Sequence, residues 1–209
     1  VGQFENLTLC SGFSFGPYTY LECGLGENIR YLTWQASPRT RALFKERNPA
    51  KFGFVPIRLA DLHRVVSAEG EIKPHTVVVQ TSLPQADGKV SLGISVGANL
   101  DFIRSAKLVI AEMNRNMPVT HGDSRVSLDA IDLGYESDAP LLEYETPAEQ
   151  PSDLRIVENV MSIIPDGAWA QLGIGSVPDR ILERLSDVPG INLFSGLLTG
   201  GLQRFVEKT

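Results

Sequence analysis

One segment of the chain reads Gln171-Leu-Gly-Ile-Gly-Ser-Val-Pro-Asp-Arg-Ile-Leu-Glu-Arg-Leu185, the pattern of a strand end, a glycine turn and a helix. Gly173 and Gly175 allow the backbone to turn sharply and to approach a ligand without a Cβ atom in the way. Pro178 suits the first position of a helix, because its φ is already helical and its missing N–H would be unpaired there anyway. The apolar face of that helix follows at Ile181, Leu182 and Leu185.

A turn of this kind directs free backbone N–H groups and the positive end of a helix dipole at whatever lies above it. The segment differs from the dinucleotide fingerprint G-x-G-x-x-G, because Pro178 stands where the third glycine would fall. An ordinary strand-to-helix connection is the alternative that the segment alone leaves open. The candidate cradle for an anion, a phosphate or an amide-rich cofactor arm consists of Gly173, Ile174, Gly175, Ser176 and Val177.

The composition limits the class of protein. The chain has 209 residues, of which 43% are hydrophobic and 21% charged, so it can build one good core or one domain and part of another. Its net charge of -6 disfavours nucleic acid and anionic membranes as partners. We expect no membrane span, because no apolar run approaches about 20 residues, and no secretory leader is visible.

Cysteine and histidine usage argues against disulfides and structural zinc. Cys10 and Cys23 are too few for a disulfide framework, so the cytoplasm is the expected location. We expect no metal, because the histidines are scattered and share no zinc-ligand spacing with the cysteines. The histidines are His63, His75 and His121. The chain begins at Val1 rather than at Met, and we expect it to be a fragment.

Strand and helix signals alternate along the chain, which predicts an α/β layered fold with a largely parallel sheet flanked by helices. The run Val77, Val78 and Val79 predicts a strand that is buried on both faces. Residues 113–150 show neither pattern and are predicted to be irregular, in part covering a site or an interface. Strands are predicted at 7–14, 54–57, 76–80, 90–96, 107–112, 169–172 and 191–194, and helices from Ser37, at 59–66, through 100–103, from an N-cap at Ser152 and from Pro178.

Ligands in open α/β sheets bind beyond the carboxyl ends of strands, and two predicted loops qualify. One is the glycine turn, and the other follows Glu112 and contains His121, Asp123 and Ser124. These three have the residue types of a hydrolytic triad, but residues so close in sequence rarely converge as nucleophile, base and orienting group. A turn in which Asp123 and Ser124 bond the local backbone is therefore favoured.

Five other side chains were considered as possible ligand contacts. Gln171 is the candidate substrate contact, since its amide could point at a carbonyl, although bonding to neighbouring backbone is the more common use of such a residue. Arg39 and Arg41 could meet a phosphate, although a solvated helix face is more common for such a pair. Trp34 and Trp169 are predicted to be core or interface residues.

Seven segments in order resemble the acetyl-CoA hydrolase/transferase family, which includes 4-hydroxybutyrate and acetate CoA-transferases. Most are loose individually, and their collinear order and spacing carry the resemblance. It covers nearly the whole chain and about half of a family member. The segments are Ser37-Pro-Arg-Thr-Arg41, Phe54-Val-Pro-Ile57, Val78-Val-Gln-Thr-Ser-Leu-Pro84, Gly88-Lys-Val-Ser-Leu-Gly-Ile-Ser-Val96, Ala106-Lys-Leu-Val-Ile-Ala-Glu-Met-Asn114, Met117-Pro-Val-Thr-His-Gly-Asp-Ser124 and Gly167 through Asp179.

The resemblance implies a CoA-transferase (NagB/RpiA-like) fold, with residues 1–209 as the family's N-terminal domain in a fragment without the C-terminal half. It implies exchange of CoA between a short-chain acyl-CoA and a free carboxylate, or hydrolysis of the acyl-CoA, with no metal and with a homo-oligomer left open. In the family, the turn that matches residues 173–177 contacts coenzyme A. The family's chemistry rests on a glutamate in a later segment, which attacks the thioester and becomes a glutamyl-CoA thioester.

The chain departs from the family at that glutamate. The family pattern is Gly-Ile-His-Ser-Glu, two apolar residues and Ser-Asp-Gly, and this chain reads Ile191-Asn-Leu-Phe-Ser-Gly-Leu-Leu-Thr-Gly-Gly201. Matching Ser195 to the first serine and Gly201 to the last glycine places Gly196 at the nucleophile and Gly200 at the aspartate. Glycine has no side chain, so no catalytic residue is assigned. The nearest carboxylates, Asp187 and Glu207, would need a register break to substitute.

Two functional interpretations stay open, and a nucleotide-binding protein of another family is disfavoured by the missing third glycine. One is a CoA-transferase or acyl-CoA hydrolase whose nucleophile is displaced, supplied elsewhere or replaced by water. The other is a catalytically inactive CoA- or acyl-CoA-binding homologue or regulatory subunit, which Gly196 favours.

Overall fold

The chain forms two compact units, Val1–Leu142 and Glu143–Thr209. They are described from a computed structural model, which describes residues 6–13, 16, 18, 28–46, 51–143, 148 and 150–209, without the side chains of Arg39, Leu43 and Glu46. The first unit contains β1 (Leu7–Ser11), β2 (Ile29–Thr33), α1 (Pro38–Glu46), β3 (Phe52–Phe54), a 3-10 turn (Leu59–Asp61), α2 (Leu62–Val65), β4 (Thr76–Thr81), β5 (Lys89–Ser91), α3 (Asn99–Ser105), β6 (Leu108–Asn114), β7 (Arg125–Ser127), a second 3-10 turn (Leu128–Ala130) and β8 (Leu133–Ser137).

The first unit has two three-stranded parallel sheets, ordered β1-β2-β3 and β4-β6-β8, and a short antiparallel pair of β5 with β7. Tyr31 is fully buried and meets the ring of Phe52 edge to face at 6.2 Å, while Phe44 of α1 meets the same ring at 6.0 Å. The larger core covers β4 and β6 and consists of Val77, Val79, Val90, Leu92, Ile103, Val109, Ala111 and Val126.

The second unit contains α4 (Pro151–Met161), β9 (Trp169–Gln171), α5 (Ser176–Leu185), β10 (Asn192–Phe194) and α6 (Gly200–Lys208). β9 and β10 pair in parallel, and the helices cover one side of that pair. Its buried core is Val157, Ile181, Leu185 and Phe205. The predicted α/β arrangement of parallel strands flanked by helices is therefore confirmed.

Several predicted boundaries are wrong, for identifiable reasons. The strand expected at 54–57 is β3 at Phe52–Phe54, because Pro56 has no N–H to give to a ladder. Val78 is 68% exposed while Val77 and Val79 are buried, so β4 alternates instead of being buried on both faces. The segment 113–150 contains β7 and β8, whose exposed or mixed residues gave no apolar signal.

Two helix starts in the second unit also differ from expectation. α4 begins at Pro151 with Gln150 as its N-cap, so Ser152 lies inside the first turn. Proline fits the first helical position, and this places the cap at Gln150, two residues before the predicted Ser152. α5 begins at Ser176, which makes Pro178 its third residue. The first four N–H groups of a helix have no partner within it, so proline fits the third position as well as the first.

Leu92→Ala should destabilise the protein. Leu92 is fully buried in the larger core, so truncation removes apolar contacts and leaves a cavity, at a cost of about 2–5 kcal/mol in the free energy of unfolding. Urea unfolding followed by circular dichroism measures the change. Leu59→Ala, at a side chain that is 63% exposed, is the control and should change stability by about 0.5 kcal/mol or less. Equal losses for the two variants would contradict the assignment of this core.

Candidate functional site

The carboxyl ends of β9 and β10 lie side by side. Gln171, the last residue of β9, is paired in register with Phe194, the last residue of β10. The chain leaves β9 into the glycine turn (residues 173–177) and leaves β10 into the 195–199 loop. The hydroxyl of Ser195 lies 3.1 Å from the carbonyl oxygen of Leu172, which links the two exits. The structure thus places the glycine turn next to the loop that contains Gly196, the two segments singled out in the sequence.

A pocket lies between these exits. It is a shallow hollow, and its ≈ 250 Å³ of empty space includes the open solvent above it. Its polar lining is limited to Ser195 and Thr199, with Gly173 contributing backbone. Leucine and phenylalanine side chains form most of the remaining wall, at Leu172, Leu182, Leu193, Phe194, Leu197 and Leu202. We call this space the turn pocket.

The glycine turn presents unused donors. Gly175 has φ 137°, a conformation that is essentially restricted to glycine, and the first helical hydrogen bond runs from Asp179 N–H to its carbonyl at 3.2 Å. No described residue accepts a hydrogen bond from the backbone N–H groups of residues 173–177. Such a row of N–H groups at a helix start can bind an anion or an amide carbonyl.

Asp153 ties the start of α4 to the start of α5. Its buried carboxylate accepts the backbone N–H of Gln150 at 3.0 Å. This bond, followed by hydrogen bonds from the hydroxyls of Ser176 and Ser152, holds the pKa of Asp153 below its ordinary value. The hydroxyl of Ser176 in the glycine turn thus contributes to the electrostatic environment of this carboxylate.

The 195–199 loop is held by side-chain hydrogen bonds at both ends. The Ser195 hydroxyl lies 2.7 Å from the carbonyl oxygen of Leu197 as well as 3.1 Å from that of Leu172. At the other end, the hydroxyl of Thr199 donates to Asp179 Oδ1 at 2.7 Å, and Asp179 is buried in α5. A Cβ atom on Gly201 would lie 2.9 Å from the same oxygen, so this glycine allows the close approach of α6.

Gly196 lies in the middle of that loop and is exposed. A Cβ atom built on it would meet no described atom within 4 Å, so steric crowding does not require glycine there. The two flanking carboxylates do not line the turn pocket: Glu207 accepts the side-chain amide of Gln203 at 2.9 Å, and Asp187 lies 3.9 Å from Arg184. The structure thus supplies no substitute at the positions that the sequence offered.

The other candidates are distributed over both units. Gln171 is exposed at the end of β9. In the first unit, the hydroxyl of Ser124 donates to the carbonyl oxygen of Thr120 at 2.8 Å, which agrees with the turn that was favoured over a triad. Arg41 Nε donates to the carbonyl oxygen of Ala36 at 3.2 Å, and the side chain of Arg39 lies outside the described part.

The two tryptophans predicted to be core or interface residues differ in their surroundings. Trp34 packs edge to face on Phe102 at 6.1 Å, whereas Trp169 is 76% exposed and is not a core residue.

Within the described part of the chain, no cluster of three or more His, Cys, Asp or Glu residues could hold a metal ion. No helix in that same part is both long and apolar enough to cross a membrane. Burial raises the pKa of the free thiol of Cys10, and Cys23 lies outside the described residues.

Sequence reasoning missed the two aspartates that organise the site. Asp153 follows Gln150 by three residues, which is the spacing of a capping box and could have revealed it. Asp179 gives no such signal, because its partner Thr199 is 20 residues away in sequence. Only the folded chain brings that pair together.

The fold and the site define a class of protein that carries an open pocket at the carboxyl ends of paired parallel strands. The chain belongs to the acetyl-CoA hydrolase/transferase family: the model of the Acetyl-CoA hydrolase/transferase N-terminal domain matches residues 7–143. The predicted family is thereby confirmed. The matched range ends at the boundary between the two units, so the turn pocket lies outside it.

Individual relatives agree with this assignment. The chain is 37% identical over 139 residues to a 4-hydroxybutyrate coenzyme A transferase from Clostridium kluyveri, over 66% of this chain and 32% of that protein. The structure of RipA from Yersinia pestis matches with TM-score 0.80 and 26% identity, over 87% of this chain and 43% of that one. A 4-hydroxybutyrate CoA-transferase from Porphyromonas gingivalis matches with TM-score 0.75 and 24% identity, over 98% and 53%. The chain therefore spans about a third of the curated relative and about half of the solved ones.

Gly175→Ala should destabilise the second unit while Gly173→Ala should not. The φ of 137° at Gly175 is strained for any residue with a Cβ atom, at a cost of about 1–3 kcal/mol. Gly173 is the matched control, since a Cβ atom there would meet no described atom within 4 Å. Thermal unfolding measures both. The assigned turn conformation is wrong if both variants unfold at the same temperature.

The contribution of Asp153 to stability should be present at neutral pH and lost at acid pH. Its folded pKa is lowered, so the stabilisation is complete above the unfolded pKa of about 3.9 and is lost as pH falls through the folded pKa. Asp153→Asn should therefore be less stable than the parent at pH 7, and the difference should shrink below about pH 4. Urea unfolding at pH 7 and pH 3 measures this, with Asp187→Asn, at a side chain that is 77% exposed, as control. A difference that stays constant with pH would contradict the role of the carboxylate.

Proposed function

We propose that the protein containing this chain processes a short-chain acyl-CoA at the turn pocket, as a CoA-transferase or acyl-CoA hydrolase in which residue 196 does not supply the nucleophile. The proposal takes residues 173–177 as the coenzyme A contact, Gln171 as a substrate contact, and a carboxylic acid as the second small-molecule partner. It needs no metal, because a carboxylate or water can attack a thioester carbonyl directly. We keep the cytoplasm as the proposed location.

One observation carries the proposal: the glycine turn with its unused N–H groups and the loop around Gly196 open onto the same pocket. In a transfer reaction a carboxylate oxygen bonds to the thioester carbonyl carbon, and the C–S bond breaks to give a mixed anhydride and CoA thiolate. The thiolate then attacks the enzyme's acyl carbon and releases the free acid. Both steps place negative charge on a carbonyl oxygen, which backbone N–H groups can stabilise.

Gly196 restricts how this chemistry can run. With no carboxylate at residue 196, an anhydride forms only if another carboxylate reaches the pocket. The buried carboxylates of Asp179 and Asp153 are already hydrogen bonded to Thr199 and Gln150, respectively. Direct attack by water, with the proton leaving to solvent and CoA departing as the thiol, requires no enzyme carboxylate. Hydrolysis therefore fits the described residues better than exchange through position 196.

A second candidate function is acyl-CoA binding without turnover, as a homologue or regulatory subunit. The same Gly196 favours it, because the turn pocket and its donors are intact while the reacting group of the family is missing. The two candidates differ in whether CoA is released from acetyl-CoA. They agree that the thioester lies beside the 195–199 loop.

Gly196→Glu should create a covalent adduct. The open space at residue 196 accepts a side chain, and the new carboxylate would lie beside the bound thioester. Intact mass spectrometry of the full-length protein after incubation with acetyl-CoA should detect a glutamyl-CoA adduct in the variant and none in the parent. Gly196→Gln is the matched control, since its amide has the same shape and is not a competent nucleophile.

The result for the unsubstituted protein in the same experiment distinguishes the candidate functions. Release of CoA without an adduct would support hydrolysis, and binding without release would support the non-catalytic homologue. An adduct on the parent would show that a displaced carboxylate does the chemistry and would refute the role given to Gly196. Absence of an adduct in Gly196→Glu despite acetyl-CoA binding would refute the placement of the thioester beside this loop.

A further inference from the structure

We propose that Asp179 is a positioning residue, which holds residue 196 beside the glycine turn through its hydrogen bond to Thr199. Losing that bond slows the reaction of a bound thioester and leaves the binding of coenzyme A unchanged. The inference deepens the proposed function and rests on it. It follows from what the hydroxyl of Thr199 does, from how closely α6 approaches Asp179, and from how little else holds the 195–199 loop.

Thr199 occupies the N-cap position of α6, but its hydroxyl does not cap that helix. A threonine at this position ordinarily accepts a hydrogen bond from a backbone N–H of the first turn. Here the side chain makes no such bond, and the hydroxyl donates to Asp179 Oδ1 at 2.7 Å. The hydroxyl therefore links α6 to α5 instead of stabilising the start of its own helix.

The surroundings of Asp179 match this link. Asp179 is 4% exposed and lies in the first turn of α5, and a buried carboxylate needs hydrogen-bond donors in place of water. The short distance to Thr199 is typical of a hydroxyl that donates to a charged carboxylate. A Cβ atom on Gly201 would lie 2.9 Å from the same oxygen, so α6 begins as close to Asp179 as a glycine allows.

Little else fixes the 195–199 loop. Leu197 is 56% exposed and Leu198 is 82% exposed, so side-chain packing contributes little to its position. Gly196 has the wide backbone freedom of a glycine, and a Cβ atom there would meet no described atom within 4 Å. Hydrogen bonds hold the start of the loop, and the bond of Thr199 to Asp179 holds its end. Loss of the second bond should therefore displace residue 196.

The proposed coenzyme A contact does not depend on this bond. The glycine turn follows β9 directly and leads into α5, and its conformation is set by the φ of 137° at Gly175. Removing the hydroxyl of Thr199 leaves these elements in place and changes only where residue 196 lies relative to them. Reaction rates are sensitive to such displacements, since a misplacement of about 1 Å can cost about 100-fold.

A purely structural role for Asp179 makes a different prediction. A carboxylate in the first turn of a helix stabilises that helix by interacting with its dipole. That role concerns α5 and does not require the hydroxyl of Thr199. The discriminating change therefore removes the hydroxyl and leaves the carboxylate in place.

The test measures the rate of adduct formation with acetyl-CoA in full-length Gly196→Glu by intact mass spectrometry, and the affinity for CoA by isothermal titration calorimetry. Adding Thr199→Val, which keeps the shape without the hydroxyl, should slow adduct formation at least about tenfold and change the CoA dissociation constant less than about twofold. Adding Thr199→Ser, which keeps the hydroxyl, should leave the rate within about threefold of that of Gly196→Glu alone. Gly201→Ala, which crowds the carboxylate of Asp179, should slow the adduct as Thr199→Val does.

Two further measurements control for a general disturbance. Thr209→Val is the same substitution at the other end of α6, where the hydroxyl donates to the carbonyl oxygen of Phe205 at 3.2 Å, and it should leave the adduct rate unchanged. Amide hydrogen exchange does not depend on the reaction. With Thr199→Val alone, exchange should become faster in residues 195–199 and stay the same in residues 173–177.

The possible outcomes separate the positioning role from the proposed function. An adduct rate that Thr199→Val leaves unchanged, or a loss that Thr199→Ser shares, would overturn the positioning role and leave the proposed function standing. Unchanged exchange of the loop, or a CoA affinity that falls in parallel with the rate, would overturn it as well. If Gly196→Glu alone binds acetyl-CoA without forming an adduct, the proposed placement of the thioester fails and the positioning role falls with it.

Discussion

The parallel pairing of β9 with β10 is the constraint on which the site depends. Because parallel strands end at the same edge, the glycine turn and the 195–199 loop emerge together, although they are about 20 residues apart in sequence. The hydrogen bond of Thr199 to Asp179 then fixes the far end of the loop to the helix that follows the turn. A pocket between two loops needs both restraints, since pairing alone would leave the loop fixed only at Ser195.

Three glycines around this pocket differ in whether the structure requires a glycine at their position. Gly175 is required by its backbone conformation, and Gly201 by the close approach of Asp179. Gly196 has neither reason, because a side chain there would point into open space. Residue 196 could therefore carry a side chain without a steric conflict with the described residues.

The sequence predicted much of the fold but less of the site. The alternation of strand and helix signals and the apolar face of α5 were sufficient to predict the α/β arrangement. Helices and strands that bury one face carry apolar residues at a regular spacing, and this spacing can be seen in the sequence. β8 escaped prediction, because an exposed edge strand carries no such period. At the site, the turn at residues 173–177 was recognisable from local backbone chemistry. The pair of Asp179 with Thr199 was not, because a hydrogen bond between residues distant in sequence leaves no local pattern.

Family membership and chemistry are carried by different parts of this chain. The family model matches residues 7–143, whereas the turn pocket is built entirely from residues 170–202. A shared fold positions a thioester, but the reaction depends on the groups that touch it. Gly196, at which the sequence resemblance predicts the nucleophile, lies in open space. In the proposed function, the groups that would orient an acyl-CoA are therefore separate from the group that would attack it, because a glycine at residue 196 has no side chain to act as a nucleophile.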